Sequence, residues 1–134
     1  MRVHRVGLQM DDGGVVPRDL CEFADAVVIV PVLADGSYVM IRNERFAVGE
    51  ELLEFPAGKL DAPDEPSAAA AGRELAEETG YRAGRLEHVG GFYSAPGAVT
   101  EYLHVFAALD LTAGTADPEV HERITPEIVP PGRL

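Results

Sequence analysis

Three glutamates at positions 74, 77 and 78, with Glu65 upstream, are the residues of this 134-residue chain whose type and spacing point to chemistry. On a helix Glu74 and Glu78 stand one above the other, Glu77 lies a little further round, and Glu65 falls back at the N-terminal end. Stacked carboxylates repel, and Arg73 can offset Glu77 at the four-residue spacing without neutralising the group. A divalent cation is the natural missing partner. With oxygen donors and no nearby His or Cys, the set suits Mg²⁺, or Mn²⁺, rather than zinc. A solvated acidic helix face is the competing reading of the helix alone.

The surrounding residues supply the element that positions these groups. Pro66 fits a first helical turn, Asp64 can cap the free backbone donors, and Gly80 suits the left-handed position past the helix end, so the sequence predicts a helix over 66–79. Its small-residue stripe of Ala68, Ala71, Gly72, Leu75 and Thr79 predicts close packing on a sheet. Before it, Pro56 and Gly58 predict a turn whose backbone can approach an ion closely.

Gly58, six residues, Glu65, seven residues, then Arg73-Glu74-Leu75-Ala76-Glu77-Glu78-Thr79-Gly80-Tyr81 closely resembles the signature box of the Nudix hydrolases. The family usually places five residues between the glycine and the first glutamate. Glu65 keeps the family's distance to Arg73, while Asp64 keeps the distance to Gly58, and either can take that first acidic position. Flanking runs, Ile41 to Phe46, Glu51 to Gly58 and Tyr93 to Gly97 followed by Glu101, resemble the ADP-ribose pyrophosphatase branch, in which a proline about fifteen residues past the box accompanies ADP-ribose specificity; Pro96 sits there. The resemblance spans roughly residues 20 to 125.

What the resemblance implies is an α+β fold, a Nudix-type α/β/α sandwich around a mixed β-sheet, forming one domain over 1–134. The chain's last residues, Pro130-Pro131-Gly132-Arg133-Leu134, cannot form the family's C-terminal helix, so a loop over 15–23 or a second subunit is expected to cover that face. The implied activity is metal-dependent hydrolysis of the diphosphate of ADP-ribose or a close ADP-sugar to AMP and a sugar phosphate. Alternatives are another nucleoside diphosphate derivative, such as a dinucleotide or nucleotide sugar, and a non-catalytic nucleotide-binding module. Glu74, Glu77, Glu78 and the Ala57 carbonyl are the implied metal ligands. Arg73 orients carboxylates, and Glu77 also belongs to the catalytic set. Glu122, then Glu119, with Glu101 beside them, are candidates for the general base. Substrate contacts are expected from Glu54, Pro96, Gly97 and Glu101, and from Arg45, whose forked guanidinium suits a phosphate but could equally pair on the surface with Glu44 or Glu50.

Composition narrows the partners. Eleven Lys and Arg against 23 Asp and Glu, a net charge of −12, repel nucleic acid and anionic membrane surfaces. A single cysteine, Cys21, allows no internal disulfide and is expected as a buried apolar group in a cytoplasmic protein. The resemblance offers a homodimer by exchange of the N-terminal arm as one possible state, although the arm here is shorter than in the dimeric relatives. Strands are predicted over 3–10, 26–33, 38–46 (as hairpin partner of 26–33), 51–55, 86–93, 101–109 and 121–129, with a turn at 11–14, a loop over 113–118 and, at Pro31, a bulge or break. Phe23, Phe46, Phe92 and Tyr93 are read mainly as core, with stacking on adenine as the other role. His4, His88, His104 and His121 are read as structural or surface residues.

Overall fold

The computed structural model describes residues 1–120 and 122–133; His121, and with it the start predicted for the last strand, lies outside the described residues. Among the described residues, nine strands and one helix follow in chain order: β1 (Arg2–Gln9), β2 (Val15–Glu22), β3 (Ala26–Pro31), β4 (Tyr38–Arg45), β5 (Glu50–Glu54), β6 (Ala57–Lys59), α1 (Ser67–Thr79), β7 (Arg82–Tyr93), β8 (Tyr102–Thr112) and β9 (Ile124–Val129). They form a mixed sheet ordered β6-β3-β8-β7, an antiparallel sheet ordered β5-β4-β9, and a separate β1-β2 ribbon.

The apolar run of β3 is buried because it is the inner strand of its sheet, parallel to β8 and antiparallel to β6. Pro31 brings neither a bulge nor a break within the strand. The Ile29 amide donates to the Pro56 carbonyl at 2.8 Å, so position 31 turns its missing N–H toward the same side, where β6 pairing has already stopped at Val28. Strands β3 and β4 are not hairpin partners either. Beyond one bridge between Val32 and Tyr38 the chain passes from one sheet into the other, where β4 is central and buries Val39, Met40 and Ile41.

Helix α1 packs against β3, β6 and β7 of the first sheet and against β4 and β9 of the second. Ala70, Ala71 and Leu75 close a core with Val27, Ile29, Phe106 and Ala108. Ala68, expected in that stripe, is exposed, and Ala70 takes its place. The expected Asp64 cap is absent: Pro66 is the extended N-cap with no side-chain cap bond, and its carbonyl accepts from Ala69 and Ala70. The other end follows expectation, with Gly80 left-handed at φ 78°.

Residues 15–23 are not a covering loop. Positions 15–22 pair along their whole length with β1, and the ribbon touches the body mainly where the Cys21 amide donates to the Ala98 carbonyl at 2.7 Å. Cys21 is half-buried at the ribbon's base rather than in the core. Phe46, Phe92 and Tyr93 are exposed and Phe23 is half-buried, so the aromatic core expected of them does not form; Phe46 lies in the β4–β5 turn, where it is 96% exposed. His4 pairs with Glu22 at 2.9 Å, and His104 stands 3.5 Å from Asp25.

Candidate active site

The sheet–helix contact sets the site. Strand β6 pairs with the first half of β3 and carries Ala57 and Gly58 under α1. There the Ala57 N–H donates to Glu78 Oε2 at 2.9 Å, and Glu78 is 2% exposed. Gly58 is required by contact: a Cβ there would lie 1.9 Å from Glu74 Cδ and 2.0 and 2.3 Å from its two oxygens. The glutamates four residues apart thus both press on the turn before the helix.

Arg73 gathers the remaining acids. Its guanidinium donates to Glu74 Oε1 at 2.7 Å, to Glu77 Oε2 at 3.4 Å, to Glu65 Oε2 at 3.5 Å and to the Lys59 carbonyl at 3.1 Å, with Asp61 Oδ2 3.3 Å from Nε. Glu65 also accepts from the Asp61 amide at 2.6 Å, whereas Asp64 is exposed. Glu65, then, is the upstream acid built into this network. Burial works against the charge of Arg73, but Glu74, Glu65 and Asp61 together raise its pKa.

A cleft of about 380 Å³ opens over these groups, lined by Arg45, Ala57, Gly58, Lys59, Asp61, Arg73, Glu74, Glu77, Glu119 and Glu122. The two late glutamates are linked, Glu119 N–H donating to Glu122 Oε2 at 3.2 Å. Arg45 turns a bidentate grip on Glu54, with Nε and Nη2 at 3.0 and 2.6 Å, so its partner is neither Glu44 nor Glu50. Of the expected substrate residues, Arg45 lines this cleft, and Glu54 is bonded to it without lining the cleft itself. Pro96, Gly97 and Glu101 do not line the cleft; they lie on the β7–β8 connection, tied to the ribbon base through Cys21 and Thr100. Lys59 and Asp61, which sequence reasoning passed over, do line it. Their signal was position, one and three residues after the glycine of the turn.

Burial dominates the electrostatics. It pushes the Glu78 carboxyl up to about 8, helped by the charges of Glu74 and Glu122 and opposed by the Ala57 N–H and Arg45. It also raises Glu74, against the pull of Arg73. The donors are oxygen only and the Gly58 cradle brings backbone against Glu74, which fits a hard divalent cation. Among the described residues no three His, Cys, Asp or Glu side chains converge to ligand distance, because Arg73 draws Glu74 and Glu77 while the Ala57 amide holds Glu78.

A pH prediction follows. Glu78 titrates near 4.5 when unfolded and near 8 when folded, so between those values the folded state holds a proton that the unfolded state releases. Its contribution is fully present below the lower value and is lost as pH rises through the upper one, a change on the order of 4 kcal/mol. Chelator-treated protein should melt at lower temperature near pH 8 than near pH 6, and the rise in Tm on adding Mg²⁺ should be larger at the higher pH. A metal-induced shift independent of pH would contradict this.

Known proteins share this architecture. A profile of the NUDIX domain matches residues 22–134. The chain is 35% identical over 105 residues to an ADP-ribose pyrophosphatase of Bacillus subtilis, covering 78% of this chain and 56% of that protein. It is 35% identical over 119 residues to an ADP-ribose pyrophosphatase of Mycobacterium tuberculosis, covering 89% and 57%. A GDP-mannose pyrophosphatase of Pectobacterium atrosepticum is 38% identical over 113 residues, covering 75% and 56%. The chain therefore spans little more than half the length of these relatives. A crystal structure of an ADP compounds hydrolase superposes with a TM-score of 0.84 at 27% identity, over 96% of this chain and 69% of that one. With the domain profile over most of its length and Gly58, Arg73, Glu74 and Glu77 of the signature lining one cleft, the chain belongs to the Nudix family.

Proposed function

We propose that residues 1–134 act as one Nudix domain that hydrolyses the diphosphate of ADP-ribose, or a close ADP-sugar, to AMP and a sugar phosphate in a reaction dependent on Mg²⁺ or Mn²⁺. The observation that carries this reading is the seating of Glu74 on Gly58 and of Glu78 on the Ala57 amide, beneath a cleft that also holds Arg73, Glu77, Glu119 and Glu122. Glu74, Glu77, Glu78 and the Ala57 carbonyl would hold the cation. When bound, it supplies positive charge against the diphosphate and eases deprotonation of the attacking water.

The chain's own residues do the rest. Glu122, or Glu119 beside it, takes the water's proton on a carboxylate oxygen as the water attacks phosphorus and the bridging P–O bond breaks. Arg73 orients Glu74 and Glu77. Arg45 is presented at the cleft by Glu54 and offers its remaining N–H edge to a phosphate oxygen. A small nucleotide is compatible with a net charge of −12 where a polyanion is not. A second copy finds support in the β1-β2 ribbon, an exposed two-stranded element carrying Val6 and Leu8, since such a ribbon is marginal without cover. Among the described residues no helix is long and apolar enough to cross a membrane.

The test is a panel of ADP-ribose, ADP-sugars, GDP-mannose and dinucleotides incubated with Mg²⁺ and analysed for mononucleotide and sugar phosphate. ADP-ribose or an ADP-sugar should give the highest kcat/KM. Preference for GDP-mannose, for which one relative is named, would move the assignment to other nucleotide sugars. Binding of ADP-ribose with no hydrolysis of any diphosphate would favour a nucleotide-binding module.

A further inference from the structure

The pairing of β4 with β9 runs out just before Glu122. The last ladder pair sets Asn43 opposite Ile124, and one step further the Glu44 N–H still donates to the Arg123 carbonyl at 3.2 Å. At that step the side chains add a contact of their own, the Arg123 guanidinium donating from Nη1 to Glu44 Oε2 at 2.8 Å. Counted on in the same antiparallel register, the next position sets Arg45 opposite Glu122. Those two residues line the carboxylate cleft whereas Glu44 and Arg123 do not, in keeping with the alternation of side chains along paired strands. On its other side Glu122 closes a turn with Glu119, its N–H donating to the Glu119 carbonyl at 2.9 Å and its Oε2 accepting from the Glu119 N–H at 3.2 Å. The turn bonds Glu122 to its own segment. The rung at Glu44 and Arg123 bonds that segment to the strand that carries Arg45.

We propose that the Glu44–Arg123 ion pair is a latch that holds Glu122 at the cleft, with Glu44 and Arg123 as positioning residues that touch no reacting group. The inference rests on the reading of Glu122 as the group that takes the water's proton. Both latch side chains are exposed, and an exposed ion pair adds little to the stability of a whole domain. Its effect on one rung is another matter. Opposite charges facing each other across an antiparallel pair favour the pairing and like charges oppose it, so reversing one of them replaces attraction by repulsion at the end of the ladder. Loss of the rung lowers the fraction of molecules in which Glu122 stands at the cleft, and turnover falls with that fraction.

The test exchanges the two charges. Arg123→Glu and Glu44→Arg should each lower kcat by about ten-fold on ADP-ribose, or on the diphosphate that the panel prefers, with Mg²⁺ present. KM should hardly change, and the double variant carrying both reversals should recover the wild-type kcat, which a direct contact of either residue with substrate would not allow. In a Glu122→Gln background Arg123→Glu should remove no further activity, since no carboxylate is left to position. Hydrogen–deuterium exchange over residues 117–124 should quicken in each single variant and return to the wild-type rate in the double one. Thermal melts establish that each variant is folded. A single variant with wild-type kcat or wild-type exchange, a double variant that stays impaired, or a further loss in the Glu122→Gln background overturns the latch. If wild type hydrolyses no diphosphate, the hydrolase reading fails and the exchange rates alone decide the latch. If wild type turns over and the reversals leave it indifferent, the latch falls and the hydrolase reading stands.

Discussion

Glu78→Gln is expected to lower kcat by about a thousand-fold while the metal-free protein becomes more stable at alkaline pH. The loss follows from the proposed role of Glu78 in holding the cation, a contribution of about 4 kcal/mol. The gain in stability comes from the environment of this side chain. Glu78 is buried, and its carboxyl is pushed up to about 8, so above that pH an anion is kept inside the fold without a counter-charge of its own. Glutamine keeps an oxygen for the Ala57 N–H and removes the charge. Steady-state kinetics with saturating Mg²⁺ and chelator-treated melts from about pH 6 to about pH 9 measure both effects. An active variant would show that the reaction does not pass through this carboxylate, and a melting temperature that still falls with pH would show that the slope belongs to another group.

The second large effect is predicted at a residue without a side chain. Gly58→Ala should reduce kcat/KM by a hundred-fold or more and cost only about 1 kcal/mol of stability. The added Cβ would overlap the carboxylate of Glu74, which is the mobile end of a side chain, so Glu74 swings aside and the backbone stays. Expulsion of Glu74 also breaks its 2.7 Å bond to Arg73 and releases that guanidinium onto Glu77 and Asp61. Kinetics paired with a thermal melt separate the two outcomes. A large fall in Tm would mean that β6 had moved, and retained activity would mean that the position of Glu74 is not critical.

The sequence made the helix and its end legible because each signal was local: the glycine stop, the proline start and the four-residue spacing of Glu74 and Glu78 all act within one element. The late glutamates were found only through resemblance, and they do reach the cleft. What escaped was non-local. Pairing of residues 15–22 with β1 and the assignment of β3 and β4 to different sheets depend on contacts between distant segments, which periodicity does not encode. The exposure of Phe46 had the same cause, since a strand pattern does not say whether another layer lies above its last residue. Pro96, Gly97 and Glu101 were expected near substrate; they do not line the carboxylate cleft, and their loop is bonded to the segment that holds Cys21 and Phe23.

Gly80 is enclosed by backbone, since a Cβ there would meet Ala116 N at 2.6 Å and the Gly114 carbonyl at 2.8 Å, and just beyond, the Asp117 amide donates to the Glu77 carbonyl at 2.9 Å. That seam fastens the acidic end of α1 to the stretch leading into Glu119 and Glu122, so the reach of those two glutamates is metered by the few residues after the fastening point. One residue added or removed between the seam and Glu119 would throw the proposed proton acceptor out of step with the helix.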